Sequence, residues 1–202
     1  MKRRRNYRDD IRAIAIERQV QYLFHFTQTA NLRGIVTHGL RSRSELAEAD
    51  YTAFASDEWR LDEDDDAVSV SVSRVNEPMF AAKRELSGHP DWVVLVLASE
   101  ILWTHDCLFS WTNAAKNEIK KHGGFRGGPW AFERMFAGSA EKRHHLPHSY
   151  PTDNTAEVQV FGGIAPEYIV GAVVDQHRLV EPVQSLLNEL GGFRPVEVEH
   201  VE

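Results

Sequence analysis

The sequence lacks most features of secreted, metal-binding and membrane proteins. Among its 202 residues there is one cysteine, Cys107, which excludes an internal disulfide framework and a cysteine-rich zinc site. No apolar run approaches the ~20 residues needed to cross a bilayer. The basic start, residues 1–10, has no apolar stretch of signal-peptide type behind it. We therefore expect a cytoplasmic protein without a membrane segment, in which Cys107, beside Leu108 and Phe109, is a buried thiol.

An overall positive charge is also lacking. The formal net charge is −7, which argues against a protein that coats nucleic acid without specificity. The charge is unevenly distributed, because residues 113–148 contain seven Lys and Arg against three Glu, a local excess of four, together with four His. A local basic segment in an acidic chain fits a narrow groove for a polyanion, and it also fits an ordinary solvated face.

The apolar patterns predict a single α+β domain that spans residues 1–202. Apolar and alternating runs predict strands at residues 22–26, 67–73, 92–97, 156–161 and 169–175. Helical spacing predicts helices at residues 7–20 and 178–190. The chain has no internal repeat and no strict alternation of strand and helix, and with 42% hydrophobic residues it can bury one sizeable core.

The stretch from residue 22 to residue 40 places a polar pair on an apolar strand. His25 and Thr27 are two residues apart, so their side chains share one face of the strand. Thr27 or Thr29 is a suitable N-cap for the helix that follows, and Gly39 suits its C-terminal end. A strand that delivers His and Thr to the start of a helix can hold a ribose and its phosphates. The alternative is a buried His that bonds a neighbouring backbone group.

Residues 67–73 alternate Val with Ser, which predicts a strand with one apolar face and one hydroxyl-lined face. The hydroxyl face either meets solvent or lines a polar cleft. Directly afterwards, Asn76 is a candidate N-cap for a helix that tolerates Pro78 in its first turn.

Two charged residues are candidates for chemistry. Glu157 opens a strand directly after a long loop, with Gln159 on the same face, so its carboxylate can face a cleft or point outward from an edge strand. Arg60 lies between apolar residues in another long loop, where it can clamp an anion or pair with the acidic run that follows it.

These segments together resemble the DarT family of DNA ADP-ribosyltransferase toxins, which are partners of macrodomain antitoxins. The resemblance extends over roughly residues 22–174 and rests on motifs that occur in family order. They are YLFHFT followed by AN, L, GI and GL, then RLD at 60–62, VSVSVSRVNEPMF at 68–80, WVVLVL at 92–97, FS-x-TNAA at 109–115 and AEVQV at 156–160. The serine-rich strand with Asn76 and the NAA motif are similar to the branch that modifies guanine. The long loops do not match the family pattern, which leaves the choice between guanine and thymine open.

The resemblance implies an ADP-ribosyltransferase fold, in which a split mixed β-sheet holds NAD⁺ in the cleft between its halves. It implies that Glu157 is the catalytic carboxylate, assisted by Arg60. The residues that it implies for NAD⁺ binding are His25, Thr27, Asn31, Gly34, Arg60, Ser71 and Ser73.

The resemblance also implies a substrate, a partner and a biological role. The substrate is single-stranded DNA, since a base inside a duplex is out of reach of the cofactor. The residues expected to bind DNA are Lys116, Lys120, Lys121, Arg126, Trp130 and Arg143. The partner is a macrodomain antitoxin of DarG type that hydrolyses the ADP-ribosyl product, and the protein acts as the toxin of a toxin–antitoxin or anti-phage system.

Three other hypotheses remain open. A cluster of His144, His145 and His148 would indicate a metal-dependent nuclease, although Pro147 disrupts helical presentation of these side chains and we expect no metal. A non-catalytic nucleic-acid-binding module is a second alternative, which the presence of both His25 and Glu157 disfavours. Within the fold, RNA or protein is an alternative acceptor.

Overall fold

A seven-stranded sheet forms the centre of the protein, in a computed structural model that describes residues 7–47, 66–116, 119, 121 and 125–199. Its strands are β1 Tyr22–Gln28, β2 Ala67–Val72, β3 Trp92–Ala98, β4 Asp106–Ser110, β5 Glu157–Phe161, β6 Ile169–Val174 and β7 Val196–Val198. The spatial order is β4-β5-β2-β1-β3-β6-β7. Only the pair β6–β7 is parallel, so the sheet is mixed. The predicted α+β class and all five predicted strands are confirmed.

Helices surround the sheet, and those that the structure describes are short. They are α1 Tyr7–Glu17, α2 Leu32–His38, α3 Arg43–Ala47, α4 Glu77–Ser87, α5 Ile101–Thr104, α6 Pro129–Arg134, α7 Ala140–Arg143 and α8 Val180–Asn188, with 3₁₀ turns at Thr29–Asn31, Pro166–Tyr168 and His177–Leu179. Within the described ranges, none of these helices has the length and hydropathy needed to cross a bilayer.

The sheet is split between β1 and β2. β1 pairs with β3 over seven residues but with β2 over only two, Leu23 with Val72 and Phe24 with Ser71. Further along the strands, the His25 side chain takes the place of a backbone ladder bond, since its Nδ1 lies 2.9 Å from the carbonyl oxygen of Ser69. The sheet therefore consists of two halves, β1-β3-β6-β7 and β2-β5-β4, as the predicted split mixed sheet requires.

Most of the core lies on one face of the sheet. Leu23, Leu95 and Val158 are fully buried there, and α1, α5 and α6 pack against one another and against β4. Full burial of a leucine side chain stabilises the fold by roughly 1.5–3 kcal/mol. The other face carries a smaller cluster, in which Phe80 of α4 packs against Trp92 with 5.7 Å between the ring centroids.

Local signals for helix ends were partly right. Asn76 caps α4, because its Oδ1 accepts a hydrogen bond from Met79 N at 3.2 Å, and Pro78 lies in the first turn. Gly39 ends α2 with φ at +82°, and a Cβ there would lie 2.4 Å from the carbonyl oxygen of Ile164. This position therefore needs glycine for its conformation and for the close approach of the chain.

The predicted cap at Thr27 or Thr29 was wrong. A 3₁₀ turn precedes α2, and neither of these two short helices has a side-chain cap. Thr29 Oγ1 instead donates to the carbonyl oxygen of Asp91, and Thr27 Oγ1 accepts from Asn31. The predicted strand over 67–73 ends one residue early, because Ser73 adopts φ +59°.

Candidate active site

Glu157 is a buried carboxylate at the start of β5. It is 6% exposed, and its Oε1 accepts a hydrogen bond from the backbone N–H of Ala114 at 2.9 Å. Ser110, at the end of β4, pairs with Glu157, and Ser71 on β2 lies at the same level because Val70 pairs with Val158. A hydrogen-bonded carboxylate with serine on both sides therefore occupies an interior strand of one half of the sheet, beside the split.

Arg126 lies beside this carboxylate and is itself buried, with 8% of its surface exposed. Its Nη2 donates to Ser110 Oγ at 2.8 Å and also to Gln159 Oε1. Gln159 shares its face of β5 with Glu157. The guanidinium thus connects the two polar side chains that flank Glu157. We predicted that Arg126 binds DNA, and the structure places its side chain in the interior, against these two residues.

Two loops near Glu157 are held together by a polar network. Asn113 N donates to Thr155 Oγ1 at 3.2 Å, and Asp153 accepts from the N–H and the hydroxyl of Thr155. Lys116 Nζ reaches Thr112 Oγ1 at 2.7 Å and lies 3.9 Å from Asp153. This network fixes the loop whose Ala114 N–H holds the Glu157 carboxylate.

The neighbours of Asp153 in this network lower the pKa of its carboxyl group. Burial raises its pKa, but hydrogen bonds from Thr155 and Thr112 and the charge of Lys116 together hold the pKa below its ordinary value. The same loop carries the NAA motif. Asn113 caps its own turn, since its Oδ1 accepts from Ala115 N at 2.8 Å.

His25 and Thr27 lie on one face of β1, as predicted. The Nδ1 of His25 bonds the Ser69 carbonyl, and because a carbonyl oxygen only accepts, Nδ1 carries the proton in this contact. Asn31 donates from Nδ2 to Thr27 Oγ1 at 3.0 Å, which links the strand to the turn before α2. Gly34 follows within α2. The structure therefore brings His25, Thr27 and Asn31 together at the edge of the split.

The two predicted serines differ in their environments. Ser71 is buried within β2 at the level of Glu157. Ser73 lies in the turn beyond the strand, in a left-handed conformation that non-glycine residues rarely adopt. Its Oγ is buried and has no hydrogen-bond partner among the described residues. Strained residues with unsatisfied polar atoms are concentrated at functional sites.

The other predicted DNA-binding residues are spread over this side of the molecule. Lys121 and Trp130 are exposed, and Trp130 meets Trp111 edge-on with 5.6 Å between ring centroids. Trp111 directly follows Ser110, so this aromatic pair borders the Glu157 site. Arg143 is half-buried and bonds a neighbouring loop. Arg60 and Lys120 lie outside the described residues.

Sequence reasoning missed the residues that hold Glu157 in place. Ser110 and Ala114 lie in a motif that the resemblance includes, but their contacts with Glu157 were not predicted, because these contacts join segments more than 40 residues apart in the chain. Gln159 was detectable from its period-two spacing to Glu157. Arg126 was predicted to bind DNA from its place in the basic segment, and its burial against Ser110 and Gln159 gave no local signal.

The remaining nucleophile and metal candidates are placed as follows. Cys107 is a buried free thiol, as predicted, and burial, followed by the charge of Asp106, raises its pKa to about 12. His144 and His145 contact each other edge-on. Over the ranges that the structure describes, no three His, Cys, Asp or Glu side chains form a group that could hold a metal ion.

Comparison with known proteins identifies the class to which this fold and site belong. A family model described as ssDNA thymidine ADP-ribosyltransferase, DarT, matches residues 24–201, which is most of the chain. The class is therefore that of the ADP-ribosyltransferases. Within it, the chain belongs to the DarT family. No curated protein matches the chain by sequence.

Solved structures share the fold at low sequence identity. Thermus sp. 2.9 DarT in complex with NAD⁺ superposes with a TM-score of 0.58 at 16% identity, over 90% of this chain and 96% of that one. The same protein in complex with ADP-ribosylated ssDNA superposes with a TM-score of 0.56 at 15% identity, over 90% of this chain and 95% of that one. Thermosipho africanus DarTG in complex with ADP-ribose superposes with a TM-score of 0.58 at 15% identity. The chain spans about half of that DarTG protein, since the match covers 88% of this chain and 49% of the other.

Proposed function

We propose that this protein transfers ADP-ribose from NAD⁺ to a base of single-stranded DNA. The observation that carries this proposal is the buried Glu157 carboxylate beside the split of the sheet, oriented by the Ala114 N–H. Family membership supports the reaction class. The similarity to a DarT structure described with NAD⁺ and to one described with ADP-ribosylated ssDNA supports the two substrates.

Glu157 supplies the charge that the reaction requires. Cleavage of the bond between ribose C1′ and nicotinamide places positive charge on the ribose, and a fixed carboxylate stabilises that charge. The same group holds the ribose 2′-OH and accepts the proton from the attacking base nitrogen. Because the Ala114 N–H orients the carboxylate before substrate binds, little reorganisation accompanies the reaction.

The residues on β1 and β2 bind NAD⁺ in this proposal. His25, fixed by its bond to Ser69, contacts the adenosine-side ribose, with Thr27, Asn31 and Gly34 beside it. Ser71 and Ser73 flank the nicotinamide ribose. Arg60 contacts the phosphates and assists catalysis, a role inferred from the sequence resemblance.

Glu157→Ala and Glu157→Gln test the mechanism. We expect transfer to fall by about 10²–10⁴-fold, while NAD⁺ affinity changes little, because the carboxylate acts mainly in the transition state. Transfer is measured by the mass gain of an oligonucleotide, and NAD⁺ binding by calorimetry. Glu181→Gln, an exposed glutamate on α8, is the matched control. Near wild-type transfer by both Glu157 variants would remove this residue from the mechanism.

We propose guanine as the acceptor base. The serine-rich strand with Asn76, and the NAA turn that orients Glu157, resemble the guanine-modifying branch, whereas the matching family model is described for thymidine. Four single-stranded oligonucleotides, each lacking one base, separate these possibilities. Loss of the ADP-ribose mass only without guanine supports the proposal, and loss only without thymine contradicts it. The absence of any gain on DNA would direct the test to RNA and protein acceptors.

Lys116, Lys121 and Trp130 are proposed to contact the DNA strand, with Lys120 as a further phosphate contact. Trp130 is half-exposed, and it can stack on a base near the site. Since phosphate contacts release counterions, raising the salt concentration should weaken DNA binding far more than NAD⁺ binding. Equal sensitivity of the two affinities would contradict a protein that follows the phosphate backbone.

A macrodomain antitoxin is the proposed partner, and the cytoplasm the proposed location of the pair. The structural similarity to a DarTG protein supports such a partner. The expected result is that a DarG-type macrodomain removes ADP-ribose from an oligonucleotide modified by this protein, as measured by mass. A modified strand that resists the macrodomain would separate this chain from a toxin–antitoxin role.

A further inference from the structure

Three arginines from separate parts of the chain converge on one loop, residues 147–152. Arg18 follows α1, and its Nη1 lies 3.4 Å from His148 Nε2. Arg74 follows β2; it donates from Nη2 to the Pro151 carbonyl at 2.9 Å, and its guanidinium lies over the Tyr150 ring at 5.3 Å. Arg143 ends α7 and bonds the same loop. We call Arg18, Arg74 and Arg143 the arginine cluster.

The arginine cluster forms no ion pair in the part of the chain that the structure describes. None of its members forms an ion pair with a carboxylate there; their partners are carbonyl oxygens, one hydroxyl, one imidazole and two aromatic rings. Burial, and then the charges of Arg18 and Arg74, lower the pKa of Arg143, which is the direction expected for neighbouring groups of like charge. Uncompensated positive charge of this kind is a property of anion sites.

The members of the cluster differ in the donors that they can offer. Arg143 uses both of its terminal nitrogens on the loop: Nη1 contacts Tyr150 O and Thr152 Oγ1, and Nη2 contacts Pro147 O and His148 O. Arg74 donates a hydrogen bond to a protein oxygen from Nη2 alone, and its Nε is buried without a partner among the described residues. Arg143 therefore stabilises the loop at residues 147–152, whereas Arg74 and Arg18 retain N–H donors that can bind a ligand.

The position of the arginine cluster along β2, compared with the positions of His25 and Glu157, indicates which anion the cluster binds. Along β2, Ser69 bonds His25, Ser71 lies at the level of Glu157, and Ser73, next to Arg74, donates its N–H to Tyr22 O. Successive serines are about 7 Å apart in an extended strand. Along the direction of β2, the level of Glu157 therefore falls between the level of His25 and that of Arg74.

We propose that Arg18 and Arg74 bind a phosphodiester group of the acceptor DNA strand, next to the nucleotide that is modified, in the positive field of Arg143. The proposal rests on the proposed function, in which adenosine lies at His25 and the reacting ribose at Glu157. The pyrophosphate of NAD⁺ then lies between those two residues, and the side of Glu157 with the arginine cluster is left for the acceptor strand. A phosphodiester also matches the planar fork of Arg74.

The test is the affinity of Arg74→Ala and Arg18→Ala for a fluorescently labelled 12-nucleotide single strand, measured by anisotropy across a series of salt concentrations without NAD⁺. Each variant should lose roughly tenfold in affinity. The slope of log affinity against log salt should become shallower by about 0.7, the value for one phosphate contact on a single strand. The loss should be uniform across oligonucleotide sequences, since phosphate contacts carry no base information.

Matched variants separate a binding role from a structural one. Arg12→Ala, which removes an exposed arginine of α1 with the same charge change, should leave the salt slope unchanged. Arg74→Lys should keep the slope and lose part of the affinity, because it retains the charge without the fork. Arg18→Ala provides the result if Arg74→Ala fails to fold, since the side-chain contacts of Arg18 within the described ranges are with His148, at the rim of the loop, and with the Phe136 ring.

Two results would overturn the proposal. An unchanged DNA salt slope together with a tenfold weaker NAD⁺ affinity, measured by calorimetry, would assign the cluster to the pyrophosphate of NAD⁺. Unchanged affinities for both ligands would reduce the cluster to a support for the loop at residues 147–152. Both results leave the proposed function intact if wild-type transfer to DNA is observed, whereas a wild-type protein that neither binds nor modifies single-stranded DNA would refute the proposed function itself.

Discussion

Arginine occurs in two contrasting environments in this protein. Arg126 is buried, and it donates to Ser110 and Gln159, two neutral side chains that flank the carboxylate. Arg18 and Arg74 are half-buried and leave donors unused by the protein, in a cluster without a carboxylate among the described residues. A buried arginine that contacts the side chains beside a carboxylate positions those neighbours, whereas clustered, half-buried arginines whose partners are neutral groups are suited to bind an external anion.

The contrast also assigns an intermediate role to Arg143. It belongs to the cluster by position, but its four hydrogen bonds to residues 147–152 are those of a structural residue. Its charge contributes to the positive field at the proposed phosphate site, while its N–H groups donate hydrogen bonds to the loop. The location of an arginine within a basic segment therefore does not decide its role; the acceptors that its nitrogens contact do.

The largest effect is expected at Arg126. Arg126→Met should lower the free energy of unfolding by about 2–4 kcal/mol, because Ser110 and Gln159 remain buried after they lose their donor. Urea denaturation measures this change, with a constant dependence on denaturant as the sign of unaltered two-state unfolding. Arg74→Met is the matched comparison and should cost less than about 1 kcal/mol, since Arg74 bonds one carbonyl. Equal losses would remove the distinction between the two environments.

A conservative variant of Arg126 tests its effect on the active site. Arg126→Lys can keep one of the two hydrogen bonds, so we expect partial recovery of stability. If Arg126 positions Glu157 through Ser110 and Gln159, transfer by the folded variant should fall by about tenfold in kcat with little change in KM for NAD⁺. Full activity of a folded Arg126→Lys protein would restrict Arg126 to a stabilising role.

Arg143 should show the opposite pattern to Arg74. Arg143→Lys preserves the charge but cannot contact four acceptors, so stability should fall by about 1–2 kcal/mol while the salt dependence of DNA binding stays the same. Lys142→Ala, at the exposed neighbouring position, is the control for stability. A shallower salt slope in Arg143→Lys, without loss of stability, would make Arg143 a direct phosphate ligand.

Sequence patterns predicted the framework of the site better than its interior. The strands, the pair His25 and Thr27, and the position of Glu157 at the start of β5 all follow from spacing within short segments. The burial of Arg126 and the bond from Ala114 to Glu157 depend on β4, β5 and their loops coming together, which no local pattern records. The cap predicted at Thr27 or Thr29 failed for a related reason, because both hydroxyl groups have tertiary or loop partners in place of the helix start.

The smallest expected effect concerns Lys116, a cation of the basic segment that does have an acidic neighbour. Asp153, 3.9 Å from Lys116, has a pKa below its ordinary value, because hydrogen bonds from Thr155 and Thr112 and the charge of Lys116 outweigh the effect of burial. A carboxyl with a lower pKa in the folded state stabilises the fold at pH above its unfolded value, about 3.9, and this stabilisation disappears as the pH falls through the folded value. Asp153→Asn should therefore cost less than about 1 kcal/mol at pH 7, and the cost should be smaller at pH 3.

Urea denaturation of Asp153→Asn and wild type at these two pH values measures this difference, with Asp106→Asn, at an exposed carboxylate, as the control. The same variant extends the comparison of basic residues, because it releases Lys116 from its acidic neighbour. If counter-charge limits the contribution of a basic residue to DNA binding, Asp153→Asn should bind single-stranded DNA slightly more tightly, with a steeper salt slope than wild type. A shallower slope would mean that Asp153 aids DNA binding by ordering its loop. The presence of an acidic neighbour would then not by itself determine how much a basic residue contributes to DNA binding.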